Sequence, residues 1–499
     1  MQEWILEEAA TVDMGDERLD RRYRIILNTM CQKPSLKFPA GCNGRAEMQA
    51  AYRFLDNDKV GKDQILLPHR TATLERIRAE KVVLIPQDTT ELDMTRPREI
   101  MGGAGPLNDE SRVGFHDHAL LAITPEGDPL GVVSADIWAR DFDGFDKDAD
   151  QKRAERRAKS IDEKESHRWL EGYREACRVA QEAPETLIVC LSDSEGDIYE
   201  CLVEGQKETG VRKAEWIIRA CQDRGLIVDK GATADCPTKL RAQVASTPIL
   251  GHLTVDVRER VPKSKDDRKR KQARDARTAE LTVQAARVLL RAPDRPGGKL
   301  PNIEVNCVLV TEPNPPEGAE PIEWLLLTSL PIDTIEQVLT IIRFYCGRWS
   351  IEIYFRILKS GCKVEESQLE KAERFLPYLA LCMIVAWRVQ YLMMLGRECP
   401  DLPCDVAFDE DEWKTAYAVA KNQPPPNKPP SLKTMIGLVA SLGGYLGRKG
   451  DGEPGPKALW VGLQRLTDLV RGWRAFARHG AAETESAPGI ETTAGQPPG

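Results

Sequence analysis

Four polar residues stand among mostly apolar neighbours in the stretch "FYCGRWSIEIYFRILKSG" (344–361): Tyr345, Arg348, Glu352 and Lys359. On a single helix each residue turns about 100°, so these four fall at about 0°, −60°, −20° and −40°. One narrow stripe then carries a phenol, two cations and a carboxylate, which is the pattern of a site on an otherwise buried helix. Two further carboxylates follow apolar runs that read as buried strands, Asp88 ending "KVVLIPQD" and Asp193 ending "ETLIVCLSD". An ionised carboxylate in such a place is costly unless paired or bound to a cation. Either one alone is also an ordinary strand-end or N-cap residue. Joined with Glu352, they form the kind of set that two Mg²⁺ ions use, a few carboxylates completed by water and phosphate oxygens. Two such ions about 4 Å apart clamp the attacking and leaving oxygens of an in-line phosphoryl displacement. Arg348, Lys359 and Tyr345 then offer donors to neighbouring phosphates.

The elements that must position these groups follow from periodicity. Residues 1–75 read as helices. In "DERLDRRYRIILNTM" an apolar face of Leu19, Tyr23, Ile26 and Leu27 is surrounded by Arg18, Arg21, Arg22 and Arg24, and "RAEMQAAYRFLDND" carries Arg53. Arginines so placed form either a solvated helix surface or a grip on phosphates. From about 80 the pattern becomes strand, hairpin ("HALLAITPEGDPLGVVSADIW"), charged helix, strand, helix and strand ("AEWIIRACQD"). Residues of about 225–320 alternate like exposed β-strands. They enclose "PKSKDDRKRKQARDAR", with eight basic and three acidic residues, which favours phosphate contact. The buried strand "IEWLLLTSLP" leads into the polar-striped helix. Beyond 372 the chain is helical, with "PYLALCMIVAWRVQYLMML" buried or at an interface, the stiff linker "NQPPPNKPPS", and a final helical pair. Residues 479–499, rich in Gly, Pro, Thr and Ala, are expected to be disordered.

Composition sets outer limits. A chain of 499 residues, 41% apolar and 30% charged, has room for several domains and a large core. No run of about 18 apolar residues occurs, and the start lacks a basic n-region and an apolar h-region, so neither a membrane protein nor an exported one is expected. The 13 cysteines include no CxxC pair, which argues against zinc and a disulfide framework and fits a reducing cytoplasm. The net charge of −8 conceals clustered basic residues and so does not exclude a nucleic-acid partner. His116 and His118 read as structural, Glu195 and Asp197 as turn or cap residues, and "IMGGAG" as a loop without the lysine of a phosphate-binding motif.

The spacing Tyr-x2-Arg-x3-Glu-x6-Lys in "YCGRWSIEIYFRILK" resembles the signature of the insertion-sequence-four family of DDE transposases. "QDTT" at Asp88 and "SDSEGDIYE" at Asp193 are similar to that family's two aspartate motifs, in the same order. "AAYRFLDN" and "GLVASLGGYLG…ALWVGLQRL" extend the resemblance to roughly residues 10–476. It implies an α/β fold, a ribonuclease-H-like mixed sheet with a β insertion (76–372, the insertion at about 225–320). It further implies a helical DNA-binding domain at 1–75 and a helical dimerisation domain at 373–478. By the same resemblance, Asp88, Asp193 and Glu352 hold two Mg²⁺ ions, with Mn²⁺ able to substitute. Trp324 stacks on a base flipped from the duplex, with Trp349 beside it, and Arg219 is a basic strand end near the site. The implied partners are double-stranded DNA, as terminal inverted repeats and target, and a second copy of the chain. The implied activity is cut-and-paste transposition through hairpin ends. A fold that has kept DNA binding but lost transposition, and a nuclease that cuts without joining, are the rival expectations.

Overall fold

The computed structural model describes the chain except residues 1–2, 35–41, 43, 97–99, 110, 143–148, 207–209, 228–236, 258, 260–274, 297 and 485–499. Within helices it also omits the side chains of 149, 152–153, 156–157 and 477–484. Among the described residues four helices lead in: α1 (Glu3–Glu8), α2 (Glu17–Gln32), α3 (Arg45–Leu55) and α4 (Lys62–Arg78). Asp16 caps α2, its side chain accepting the Arg18 amide. The helix α4 crosses residue 75 and packs on both the sheet and the long helix described below.

The centre is a mixed sheet. β1 (Val82–Asp93), β2 (Gly105–Pro106), β3 (Val113–Ile123) and β4 (Pro129–Trp138) come first, followed by helices α5 (Ala149–Ala158) and α6 (His167–Glu182). After them run β5 (Leu187–Ser192), α7 (Tyr199–Gln206), β6 (Glu215–Arg219), α8 (Leu240–Ala245), β7 (Gly251–Val257), β8 (Arg277–Leu290), β9 (Ile303–Thr311) and β10 (Glu323–Thr328). β1 is antiparallel to β3, which pairs with β4, and parallel to β5, which is parallel to β6. An antiparallel meander on one side of β1 and helix-linked parallel strands on the other is the ribonuclease-H-like arrangement, as expected from the sequence.

The strands within residues 225–320 do not stand apart. Through β10 they continue the same sheet beyond β6, in the order β10-β9-β8-β7. β7 alternates between half-buried and exposed residues as an edge strand does, whereas β9, held between β8 and β10, is mostly buried. The basic stretch between β7 and β8 lies outside the described residues up to 274. Its last cation, Arg277, pairs with the buried Glu312 (Nη2–Oε2 2.6 Å) and holds strands together.

Strand alternation assigns each face its own core. Leu84, Leu92, Val189, Leu191 and Ile217 point to a core shared with the helices that follow β10. Val83, Ile85, Ile188, Cys190 and Trp216 point to the opposite core, covered by Trp169, Leu170 and Tyr173 of α6. After β10 come α9 (Ile335–Gly347) and α10 (Ser350–Arg356), then α11 (Ala372–Glu398). α11 is the one helix among the described residues long and apolar enough to cross a bilayer, and 83% of its most apolar window is buried inside the protein. Its Trp387 donates to the Pro129 carbonyl (2.9 Å), and its Gln390 to that of Ser350 (3.0 Å). A third core joins α12 (Glu410–Lys421), α13 (Leu432–Leu442) and α14 (Pro456–Thr484). α14 runs helically through Thr484, so residues 479–484, expected to be disordered, continue the helix; 485–499 lie outside the described residues.

Candidate active site

Asp88 does not end its strand. β1 runs on to Asp93, paired with β3 throughout that stretch. What ends is the parallel pairing with β5, whose last pair is Pro86 with Leu191. Asp88 and Asp193 lie two residues beyond that pair on each chain. Counted on from that pair, both side chains fall on one face of the sheet and at one level. Asp193 also caps the short turn Ser194–Gly196, its Oδ1 accepting the Glu195 amide (2.8 Å). Its strand-end and capping readings both hold.

The polar-striped segment is not one straight helix. α9 stops at Gly347, and the Arg348 and Trp349 amides reach back three residues, to the carbonyls of Tyr345 (3.1 Å) and Cys346 (3.3 Å). α10 then runs to Arg356, and Ile357–Gly361 loosens into a π turn. Tightening to three residues per turn and then loosening shifts each later residue around the axis. Lys359, within the π turn, faces Glu365 (Nζ–Oε1 3.8 Å), which accepts the Asp93 amide near the far end of β1.

Arg348, Glu352 and Tyr345 do converge on the aspartates. A glycine lets the helix approach closely, since a Cβ at Gly347 would meet Leu84 Cδ1 at 3.1 Å and Ile123 Cδ1 at 3.4 Å. Arg348 then places Nη1 3.2 Å from Asp88 Oδ2 and Nη2 3.4 Å from Glu352 Oε1. Burial, followed by the Asp193 charge, pushes the Asp88 carboxyl up to about 7, against the Arg348 guanidinium and the Thr89 amide. Burial likewise raises the Tyr345 phenol, which feels Arg348, Arg219 and Asp193; Arg219, at the end of β6, thus borders the same cluster. Three carboxylates offer the hard oxygen donors that a divalent cation takes. Among the described residues no three such side chains already stand as a metal cluster, and Arg348 supplies the positive charge between Asp88 and Glu352. Glu352, 42% exposed, is the carboxylate most accessible to solvent.

Trp349 and Ile353 lie one residue beyond Arg348 and Glu352 and so face about 100° away. There they line an open cleft of about 1140 Å³ with Trp324, Val255, Arg356 and Arg397. Trp349 is 61% exposed. Both tryptophans singled out in the sequence thus meet in one cleft beside the acidic cluster. The N-terminal arginines are farther afield. Arg18 is exposed and paired with Asp16 (Nη2–Oδ2 2.9 Å), Arg22 is half-buried and Arg53 is exposed.

Three family models cover successive parts of the chain: Transposase DNA-binding over residues 1–60, Transposase DDE domain over 188–388, and Transposase Tn5 dimerisation domain over 384–484. The chain belongs to the Tn5-like DDE transposases. As a transposase it carries a DNA-binding and a dimerisation domain around a DDE nuclease domain, a class that generally uses divalent metals. A cryo-EM structure of piggyBac transposase in a synaptic complex with hairpin DNA is similar at 8% identity and TM-score 0.34, over 99% of this chain and 83% of that one. The DDE match includes Asp193 and Glu352 but begins after Asp88, which the fold alone brings to them.

Gln87, Thr89 and His118 form hydrogen bonds on the opposite face of the sheet, directly behind the aspartates. Alternation along "QDTT" puts Gln87 and Thr89 on the face away from Asp88, a signal the sequence analysis did not use. His116 stacks on Trp138 (5.2 Å), and Asp197 accepts the Cys221 and Gln222 amides (2.9 and 3.0 Å).

Proposed function

We propose that this transposase moves DNA by a cut-and-paste route, with Asp88, Asp193 and Glu352 as its catalytic carboxylates. The observation that carries the assignment is Arg348 bonded to both Asp88 and Glu352, while burial, and after it the Asp193 charge, raises the Asp88 carboxyl. Asp88 and Asp193 from the two strands, with Glu352 from α10, would hold two Mg²⁺ ions, or Mn²⁺ in their place. Bound there, the ions would supply Lewis acidity to the scissile phosphate and acidify the attacking water.

The chain's own residues do the rest. Glu352, the exposed member, would hold a cation with its carboxylate, and the Arg348 guanidinium can grip a phosphate oxygen with two parallel N–H donors. Tyr345 donates its phenol, kept protonated by burial, to the same strand. Lys359 holds a phosphate farther along, and Arg219 one near the end of β6. The sequence of reactions is hydrolysis of one strand, attack of its 3′-hydroxyl on the opposite strand to close a hairpin, reopening, and joining to target DNA. Closing a hairpin strains the terminal bases, and the Trp324–Trp349 cleft offers aromatic planes for a base flipped out of the stack.

Arg18, Arg22 and Arg53 grip the phosphates of the terminal inverted repeats, within a DNA-binding domain at 1–75. The catalytic core spans 76–372, and the helices of 373–478 pair two copies so that both ends are held. The setting is the cytoplasm of a bacterial cell. The test is cleavage and hairpin formation on DNA bearing the repeats that flank the gene, in Mg²⁺, with wild type beside Glu352→Ala. Hairpins from wild type and none from the variant support the reading. Repeat binding without a cut in either metal overturns it.

A further inference from the structure

Behind the aspartates, on the face covered by α6, a chain of hydrogen bonds closes into a ring. The Gln87 amide nitrogen donates to Ser192 Oγ (3.0 Å), the residue before Asp193. That leaves Gln87 Oε1 as an acceptor, and it lies 3.0 Å from His118 Nε2. The Nε2–H must therefore be the donor. The other ring nitrogen, Nδ1, lies 2.8 Å from Thr89 Oγ1. Thr89 Oγ1 already accepts from Arg168 Nε (2.8 Å), so its own proton goes to His118 Nδ1. A neutral imidazole with its proton on Nε2 satisfies every partner. Arg168 continues through Nη2 to Glu195 (3.2 Å), whose backbone amide donates to Asp193 Oδ1. Thr89 closes the circuit, its amide donating to Asp88 Oδ1 (2.7 Å).

The ring thus joins the residues next to Asp88 to those next to Asp193 across the very point where β1 and β5 stop pairing. Backbone hydrogen bonds no longer set the distance between the two strands there. α6 is pressed onto the ring: a Cβ at Gly172 would collide with the Gln87 amide oxygen and lie 3.1 Å from His118 Nε2. Trp169 closes edge-on over the His118 ring (centroids 4.8 Å).

We infer that Gln87, Thr89, His118 and Arg168 are positioning residues that fix the separation and orientation of the Asp88 and Asp193 carboxylates for divalent-metal binding. None of the four touches the reacting atoms. The inference rests on the carboxylate assignment above. Partners of this kind are worth about 10–100-fold in metal affinity or activity.

The test compares Thr89→Val, which keeps shape but removes the hydroxyl donor, with Thr89→Ser, which restores it, in the full-length protein. Mn²⁺ binding is followed directly by electron paramagnetic resonance, beside melting temperature and repeat binding. Wild type and Asp88→Ala are the controls. The expected result is Mn²⁺ affinity about 10-fold weaker in Thr89→Val and within about 2-fold of wild type in Thr89→Ser, with repeat binding unchanged in both. Gln87→Glu, which replaces the donor to Ser192 by an acceptor, should weaken Mn²⁺ binding in the same way if Thr89→Val fails to fold. Wild-type Mn²⁺ binding that survives Asp88→Ala would sink the carboxylate assignment. Binding lost in Asp88→Ala but undiminished in the folded Thr89→Val and Gln87→Glu proteins would overturn the positioning role alone.

Discussion

Arg348 reaches across 260 residues of sequence to Asp88 (Nη1–Oδ2 3.2 Å), and one helical turn on it meets Glu352 (3.4 Å). This guanidinium is the main positive charge set against the Asp88 carboxylate. Replacing it by alanine leaves partly buried acids facing one another. We expect Arg348→Ala to lower metal-free stability by about 2 kcal/mol, measured by urea unfolding, and to abolish cleavage. Arg348→Lys, lacking the two-pronged fork, should recover little of either. Unchanged stability in the alanine variant would show that the contact contributes nothing in solution.

Gly347 sets how closely that helix approaches β1. Gly347→Ala puts a methyl against Leu84 and Ile123. The predicted cost is about 1–2 kcal/mol, with cleavage reduced and repeat binding retained, because Leu84, Ile123 or the helix must give by a few tenths of an ångström and a shift of the helix takes Glu352 with it. Equal loss of binding and cleavage would mean a general unfolding instead.

Asp117, on β3, gives a pH dependence. It is fully buried, and neither carboxylate oxygen has a hydrogen-bond partner among the described residues. Burial pushes it up to about 7, with Lys62 and Lys359 opposing and Asp136 adding. Between about pH 4 and 7 the folded chain keeps a proton that the unfolded chain has released. Stability therefore falls as pH rises through that window, by at most roughly 4 kcal/mol. Asp117→Asn should flatten the difference in melting temperature between pH 5 and pH 8 and melt higher than wild type at pH 8. Parallel pH profiles for the two proteins would refute this.

The tryptophan cleft separates two steps of the proposed reaction. Trp324→Ala and Trp349→Ala should leave the first nick within a few-fold of wild type and slow hairpin closure by about 10–100-fold, since base stacking is worth about 1–3 kcal/mol. A 2-aminopurine placed at the DNA end should lose its fluorescence change in the slower variant. Loss of the first nick as well would place these rings at the scissile phosphate instead.

Much of the site could be read before any tertiary structure. The order of strands and helices was legible because alternation and apolar run length are local properties of residues such as Val82–Ile85 and Leu187–Leu191. The type and spacing of Tyr345, Arg348 and Glu352 survive a helix break after Gly347 because each lies within a turn or two of the others. The tightened turn at Arg348 and the π turn at Ile357–Gly361, which carries Lys359, leave no mark in residue spacing.

What the sequence by itself determined was the chemistry available: three carboxylates, a guanidinium and a phenol, each carried by an element its neighbours encode. The tertiary structure alone decided where those elements stop pairing. Asp88 sits within a strand, level with Asp193, two residues past the last parallel pair, and a ring through Gln87, His118, Thr89 and Arg168 spans the gap. Register, close approach and hydrogen bonding between residues about 30 to 260 apart are settled only when the whole sheet and its covering helices pack together. That is why the aspartates were legible and the residues between them were not.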